Sequence, residues 1–273
     1  MSRGSVLQLL DSRRGYVGST GRQTHYREHG SGAPVLLLHG TGFDSSFWMR
    51  ALPLLGVGRR AIAPDLAGYG LSDRPTAPEP LSYYGDRVLE LMDELVIDRA
   101  DIVGFHTGAS IAVDIAARHP DRVGSVVLAG LLALDPQCER DRWYDSLVIG
   151  ESGPLATAAL LQEQTERWKT FSATDDPERY RAMLIARLIA APPELSTYLP
   201  LRDYDILAGV DSVTAPTLVI QFDRDVVPAD RARAAAARLR NGRFVEIPGE
   251  SHELLSNPVP VCELIGIHLA GTD

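Results

Sequence analysis

Three short glycine-containing stretches bring together residue types that could do chemistry. Residues 39–42 read HGTG, residues 65–73 read DLAGYGLSD, and residues 104–108 read GFHTG. Glycine lets a backbone turn sharply, so that N–H groups can point into a cleft and stabilise a developing negative charge. The third stretch also carries His106 at its centre, and an imidazole transfers protons near neutral pH. The pattern therefore indicates acid–base or nucleophilic chemistry supported by backbone N–H groups.

Each stretch stands at the end of a short apolar run that predicts a buried strand. Such runs are typical of parallel strands that are covered on both faces. Residues 104–108 also lead directly into a predicted helix that ends before Pro120. Small residues on both sides of a tight strand-to-helix turn let the central side chain stand exposed above the sheet. Because such a turn is strained, its central residue is usually present for chemistry.

Strand, turn and helix alternate over most of the chain. The predicted strands are Val35–Leu38, Ala61–Ala63, Asp101–Val103, Ser125–Leu128, Thr217–Ile220 and Phe244–Ile247. The predicted helices are Leu81–Val96, Thr107–Arg118, Asp230–Arg240 and Pro258–Leu269. This alternation predicts an α/β fold with a mostly parallel central sheet flanked by helices.

The segment from 132 to 205 has no strand signal. Aromatic residues are scattered there among helix formers: Trp143, Tyr144, Trp168, Phe171, Tyr180 and Tyr198. We predict a helical cap over 132–205, inserted between two parts of one core at 1–131 and 206–273. Its aromatic side chains either pack the helices together or line a pocket.

The order of these stretches, with an aspartate and a histidine late in the chain, resembles the α/β-hydrolase fold superfamily in its capped branch. The resemblance covers nearly the whole chain. It implies the α/β-hydrolase fold with an inserted helical cap, and a nucleophile elbow at 104–108. It also implies that the backbone N–H groups of Thr41 and Thr107 form an oxyanion hole.

The resemblance further implies an acid and a base in the C-terminal part of the chain. Asp225 is the expected acid, and Asp223 is the alternative because this run departs from the usual Gly-x-x-Asp spacing of the superfamily. His252 is the expected base. The residues expected to line the substrate site around these groups are Gly40, Gly42, Phe43, Phe105, Trp143 and Tyr144.

His106 departs from the superfamily pattern, which usually has Ser, Asp or Cys at the elbow tip. A serine triad is therefore not expected: Ser110 should lie beneath the elbow, and Ser251 should point away from the base. Three roles for His106 remain open. It could act as a nucleophile on activated acyl groups, share proton transfers with His252, or donate a hydrogen bond that orients a substrate oxygen.

We favour the third role, with His252 and Asp225 as a general-base dyad acting on a substrate hydroxyl, an acidic C–H group or water. The expected substrate is a small-to-medium, largely apolar carbonyl compound. The expected reaction is non-serine hydrolysis, or lyase or cyclase chemistry, in natural-product or aromatic metabolism. The alternatives are a cofactor-independent oxygenase of a ring ketone and an inactive ligand-binding protein.

No cofactor or metal ion is expected. In the superfamily the acid lies behind the base histidine, so His106, His252 and Asp225 are not expected to converge on one metal ion.

Composition narrows the possible partners. The 273 residues carry a formal charge of -9, from 36 Asp and Glu against 27 Lys and Arg, which argues against binding nucleic acid or anionic lipid. No run approaches the ~20 apolar residues of a membrane span, and the start of the chain lacks a signal-peptide pattern. Cys138 and Cys262 are too few for a disulfide framework. We expect a cytoplasmic monomer or homodimer with a small-molecule substrate.

Overall fold

The computed structural model describes residues 12–133, 162, 166, 177–190, 197–225, 228–249 and 253–271. These residues contain an eight-stranded sheet with the strand order β1-β2-β4-β3-β5-β6-β7-β8. The strands are β1 (Arg13–Val17), β2 (Thr24–Gly30), β3 (Ala33–Leu38), β4 (Arg59–Pro64), β5 (Ala100–Phe105), β6 (Val123–Ala129), β7 (Thr217–Phe222) and β8 (Gly242–Ile247). From β4 to β8 all neighbouring strands are parallel, which confirms the predicted fold class.

The sequence analysis assigned no residues to β1 and β2, which extend the sheet in antiparallel pairing. Their sequences, RRGYV and THYREHG, contain no apolar run. An antiparallel edge can expose one face to water, so its residues do not need to be continuously apolar. For this reason an apolar-run criterion does not identify these two strands.

Helices cover both faces of the sheet. The α-helices are α1 (Leu52–Leu55), α2 (Leu81–Glu94), α3 (Thr107–Arg118), α4 (Pro177–Ile189), α5 (Tyr198–Asp203), α6 (Ile206–Ser212), α7 (Ala229–Ala236), α8 (Glu253–Ser256) and α9 (Val259–Leu269), with a 3-10 turn at Ser45–Trp48. Helix α2 ends two residues before the predicted Val96, because Val96 adopts a φ of 56° that no α-helix continues. Helix α7 likewise ends before the predicted Arg240.

The inner strands separate two apolar layers. In β3, the side chains of Leu36 and Leu38 join the layer under α2, α3, α6 and α7, whereas Val35 and Leu37 join the layer under α1 and α9. This alternation follows from the two-residue period of a strand. All four side chains are fully buried. The carboxyl end of β3 is thereby held rigidly between the layers.

Helices α4 and α5 are the helices described within the predicted cap, and most of 134–196 lies outside the described residues. Helix α4 contacts the core through the buried Met183. The Arg74 guanidinium also donates a 2.8 Å hydrogen bond to the carbonyl of Ile189 at the end of α4. The cap boundaries at 132 and 205 remain a prediction.

Across the described ranges, no helix has both the length and the apolar character needed to cross a membrane.

Candidate active site

His106 stands at a strained turn between β5 and α3. Its φ of 47° and ψ of -109° are unusual for a residue with a side chain. The turn is held by backbone hydrogen bonds: the His106 N–H donates to the carbonyl of Ala129 at 3.0 Å, and the His106 carbonyl accepts from Ala109 at 2.9 Å. A strained conformation that the surrounding structure holds in this way is typical of a functional residue. The predicted elbow geometry is therefore present around His106.

Two glycines make this turn sterically possible. A Cβ atom on Gly104 would lie 2.3 Å from the carbonyl oxygen of Gly108, and one on Gly108 would lie 2.2 Å from that of Leu38. Both contacts are with backbone, which cannot move aside as a flexible side chain would. Helix α3 therefore approaches β3 and β5 closely only because these positions have no side chain.

Gly104→Ala should lower the free energy of unfolding by about 3 kcal/mol, because the new methyl group overlaps backbone atoms. Gly266→Ala in α9 is the matched control, since nothing lies within 4 Å of its added Cβ atom. That variant should gain about 0.5–1 kcal/mol through helix propensity. Urea unfolding, monitored by circular dichroism, measures the free energy of unfolding of both variants. Equal changes in the two variants would contradict the steric explanation of the turn.

The imidazole of His106 pairs with the carboxylate of Asp225 at the end of β7. Its Nε2 atom lies 3.1 Å from Oδ1 and 3.2 Å from Oδ2. The Asp225 side chain has no exposed surface, and that of His106 is 14% exposed. Because an ionised carboxylate only accepts hydrogen bonds, the neutral form of the ring has its proton on Nε2 and its lone pair on Nδ1. The pair thus holds His106 in one tautomer.

Gly130 lets these two side chains meet. It follows β6 with a φ of 63°, and a Cβ atom there would lie 2.4 Å from Cδ2 of His106 and 2.8 Å from Oδ2 of Asp225. The N–H of Gly130 also donates to the carbonyl of Ile220 at 2.9 Å, which ties the end of β6 to β7. A side chain at this position would separate the imidazole from the carboxylate.

The contact between Asp225 and His106 was not predicted from the sequence, which indicated only that the acid lies behind His252. The imidazole at the elbow tip is long enough to reach the acid itself, which a serine side chain is not. His252 lies outside the described residues. Asp223, the alternative acid, accepts a 2.8 Å hydrogen bond from the N–H of Gly249 instead and so fastens the loop after β8.

The two oxyanion corners lie beside each other, as their predicted roles require. The N–H of Thr41 donates to Oγ1 of Thr107 at 3.3 Å, and the two hydroxyl oxygens are 2.6 Å apart. Thr107 is the first residue of α3, so its own N–H has no acceptor within the helix. A carbonyl oxygen above this helix end would meet the Thr107 N–H and the positive end of the helix dipole, and it would meet the Thr41 N–H once that group is released from Thr107 Oγ1.

Two polar groups near this corner were not identified from the sequence. Oγ1 of Thr197, just before α5, lies 2.5 Å from Oγ1 of Thr41 and 2.8 Å from the hydroxyl of Tyr69. The Arg187 guanidinium of α4 lies so close to Gly42 that a Cβ atom there would be 1.9 Å from Nη1. Neither residue belongs to a motif, so only the folded chain brings them to the site.

Phenylalanine rings border the other side of His106. The Phe105 and His106 rings stack with centroids 4.1 Å apart, and Phe47 stacks on Phe105 at 4.4 Å. Phe43, which is partly buried, lies 5.1 Å from Phe47. Of the residues expected to line the site, Gly40, Gly42, Phe43 and Phe105 lie together here, while Trp143 and Tyr144 lie outside the described residues.

The second glycine corner, residues 65–73, has a structural role. The buried Asp65 accepts hydrogen bonds from His25 Nδ1 and from the N–H groups of Ser45 and Leu71, at 2.7–2.8 Å. Burial opposes ionisation, but these hydrogen bonds outweigh it and lower the pKa of Asp65 below its usual range. The Asp65 carboxylate therefore connects β2 and the loop after β3 to residues 65–73.

His39 joins the first and second corners. Its Nδ1–H donates to the carbonyl of Gly40 at 2.8 Å, and its Nε2 accepts from the N–H of Leu66 at 3.0 Å. Burial lowers the pKa of His39, although the bond to Gly40 and nearby carboxylates oppose that shift. A neutral, fixed imidazole is suited to support the oxyanion corner rather than to transfer protons.

Other chemistry has little support in the part of the chain that the structure describes. No three His, Cys, Asp or Glu side chains gather there as a metal ion would need. Burial raises the pKa of the Cys262 thiol to about 12, so this group is a poor nucleophile. Ser110 is buried one turn into α3, below the elbow tip.

Comparison with known proteins agrees with the observed fold. A model of the alpha/beta hydrolase family matches residues 35–264. The chain is 37% identical over 116 residues to a 2-hydroxymuconate semialdehyde hydrolase of Pseudomonas sp. (strain CF600), covering 41% of each chain. It is 34% identical over 122 residues to a 2-hydroxy-6-oxo-2,4-heptadienoate hydrolase of Pseudomonas putida, covering 42% of this chain and 43% of that protein. These alignments thus span about two fifths of each relative's length.

Solved structures match over a longer range. A hydrolase from Pseudomonas aeruginosa PA01 is 26% identical with a TM-score of 0.78, and the match covers 95% of this chain and 99% of that one. An enol-lactonase from Burkholderia xenovorans LB400 is 22% identical with a TM-score of 0.79, covering 94% and 100%, and shows the shared fold. On the family match, which spans most of its residues, the chain belongs to the alpha/beta hydrolase family.

Proposed function

We propose that this protein is a hydrolase-type enzyme that acts on a carbonyl compound through a histidine held by Asp225, without a serine acyl-enzyme. The observation that carries the proposal is the 3.1 Å contact between His106 Nε2 and Asp225 Oδ1 at the elbow. A carboxylate behind an imidazole fixes its tautomer and stabilises the imidazolium that forms on proton uptake. The strained turn that presents this imidazole favours catalysis over ligand binding alone, because such strain is typical of active sites.

The proposed reaction begins with proton transfer to Nδ1 of His106. The proton comes from water, which then adds to the substrate carbonyl, or from an acidic C–H or O–H group of the substrate itself. The resulting negative charge on oxygen is stabilised by the N–H groups of Thr41 and Thr107. The proton held on His106 would then pass through His252 to the leaving group as the intermediate collapses. One hydrogen of water thus ends on the leaving group, both imidazoles return to their starting state, and no bond to the enzyme forms.

The proposed substrate has an apolar body and a carboxylate. Phe43, which is partly buried and packs against Phe105, offers an apolar surface. The names of two relatives, the hydrolases of 2-hydroxymuconate semialdehyde and of 2-hydroxy-6-oxo-2,4-heptadienoate, specify unsaturated oxo compounds that carry acid groups. Compounds of this class are therefore the first to test.

The test is a panel assay combined with covalent labelling. Purified protein is incubated with both named compounds, an enol lactone and aryl esters, and products are identified by mass spectrometry. We expect turnover of at least one compound and no labelling by a fluorophosphonate, because no serine stands at the elbow. Fluorophosphonate labelling of a serine that also stops turnover would overturn the proposal.

A second candidate mechanism has His106 as a nucleophile, which its place at the elbow tip favours. Nδ1 would then attack the carbonyl carbon, and water would hydrolyse the acyl-imidazole. Rapid-quench mass spectrometry separates the two mechanisms: an acyl group on His106 within one turnover supports the nucleophile, and unmodified protein throughout supports the general base.

A further inference from the structure

We propose that Thr197 is a positioning residue for the oxyanion corner, because its hydroxyl group holds the side chain of Thr41. The proposal rests on the proposed function, since it assumes that a substrate oxygen binds at this corner. Thr197 lies directly before α5, 156 positions after Thr41 in the chain. Its hydroxyl oxygen is 2.5 Å from that of Thr41, so the contact joins the segment before α5 to the turn after β3.

Thr197 is itself fixed to the second glycine corner by two contacts with Tyr69. Its N–H donates to the Tyr69 hydroxyl oxygen at 3.1 Å, and its own hydroxyl oxygen lies 2.8 Å from the same atom. Thr197 exposes none of its surface, and Tyr69 exposes 1%. Because water is excluded, these contacts are stronger than they would be at the surface. Residues 65–73 therefore hold the Thr197 hydroxyl in place.

The Thr197 hydroxyl does not cap the helix that follows it. Thr197 occupies the N-cap position of α5, and its carbonyl accepts from the N–H of Leu201 at 3.1 Å. A threonine at this position typically accepts a hydrogen bond from an N–H group of the first helical turn. The Thr197 side chain makes no such bond, and its hydroxyl is directed to Thr41 and Tyr69 instead. The stabilisation that a cap would give α5 is absent, which favours a role for this hydroxyl at the corner.

The turn at Thr41 depends on such an anchor, because a glycine stands on each side of it. Gly40 and Gly42 restrict the backbone less than any other residue would. The Thr41 side chain is held through its hydroxyl oxygen, which lies 2.5 Å from that of Thr197 and 2.6 Å from that of Thr107. Loss of the Thr197 hydroxyl would leave this side chain with the Thr107 contact alone.

The N–H of Thr41 is the part of this turn that exchanges partners. In the structure it donates to Oγ1 of Thr107 at 3.3 Å, which is longer than the about 2.7–3.2 Å of ordinary N–H···O bonds. A substrate oxygen that carries negative charge accepts more strongly than a neutral hydroxyl group and would take this N–H from Thr107. The hydroxyl contact between Thr41 and Thr197 does not involve the N–H, so it keeps the amide directed at the same space throughout the exchange.

Thr197→Val and Thr197→Ser test the anchor with the compound that the panel shows to be turned over. Valine keeps the shape of threonine and the N–H bond to Tyr69 but has no hydroxyl group. We expect kcat to fall roughly tenfold with KM nearly unchanged, which is less than the cost of about 10²–10³-fold for deleting an oxyanion donor. Serine should restore most of kcat. The control is Thr217→Val at the start of β7, which removes another buried hydroxyl group and should leave kcat unchanged. A Thr197→Val variant with the wild-type kcat would overturn the proposal, as would a loss that serine does not restore.

A measurement without substrate separates this proposal from the proposed function. 15N relaxation of threonine-labelled protein reports the order parameter of the Thr41 N–H, which is about 0.85 in a rigid backbone. This order parameter should fall in Thr197→Val and keep its wild-type value in Thr197→Ser and Thr217→Val. An unchanged value in Thr197→Val would overturn the positioning role. Fluorophosphonate labelling of a serine in the panel experiment would overturn the general-base mechanism instead and leave the relaxation result unaffected.

Discussion

Replacing Asp225 by asparagine is expected to lower kcat roughly 10⁴-fold, the loss seen when an amide replaces the carboxylate behind a catalytic histidine. The carboxylate holds the proton on Nε2 of His106 and leaves Nδ1 as the base. An asparagine side chain can turn its NH₂ group toward the ring, so that Nε2 accepts and the proton moves to Nδ1. It also removes the negative charge that stabilises the imidazolium.

The tautomer can be measured without a substrate. 15N NMR of histidine-labelled protein should show the Nε2-protonated form of His106 in the wild type and the Nδ1-protonated form in Asp225→Asn. Asp223→Asn is the matched control, because an amide oxygen can still accept the Gly249 N–H and should preserve both tautomer and turnover. If Asp223→Asn instead were the inactive variant, the acid would have to be reassigned.

Replacing Asp65 by alanine is expected to lower the free energy of unfolding by about 3–5 kcal/mol, because each buried donor that loses its acceptor costs about 1–3 kcal/mol. The change leaves His25 Nδ1 and the N–H groups of Ser45 and Leu71 without their buried acceptor. Urea unfolding at pH 7 measures the loss. The control is Asp211→Ala, which breaks a pair with Arg238 on the surface and should leave stability unchanged.

Stability should also depend on pH through Asp65. Its pKa is lower in the folded chain than in the unfolded chain, so the unfolded chain binds a proton first as pH falls. The stabilisation is complete above the unfolded value of about 3.9 and is lost as pH falls through the folded value. The wild type should therefore lose stability below about pH 4 more steeply than Asp65→Ala, and parallel curves would contradict this assignment.

Local chemistry explains why much of the fold was predictable from residues alone. Strands β3, β5, β6 and β7 are buried on both faces along most of their length, so each contains an apolar run. The elbow at 104–108 was predictable because only glycine fits where helix α3 touches the sheet. Strands β1 and β2 were missed because a solvated edge imposes no such pattern.

The sequence by itself determined the α/β architecture, the elbow and the presence of an imidazole at its tip, because each follows from local backbone sterics and burial. Only the tertiary structure decided which groups surround that imidazole. His106 meets an acid 119 positions away, and Tyr69 meets a threonine 128 positions away. No local periodicity encodes such contacts, since they depend on how the ends of β3, β5 and β7 align across the sheet. The contact between the His106 ring and Asp225 therefore exists only in the folded chain, and the general-base mechanism proposed for this protein depends on it.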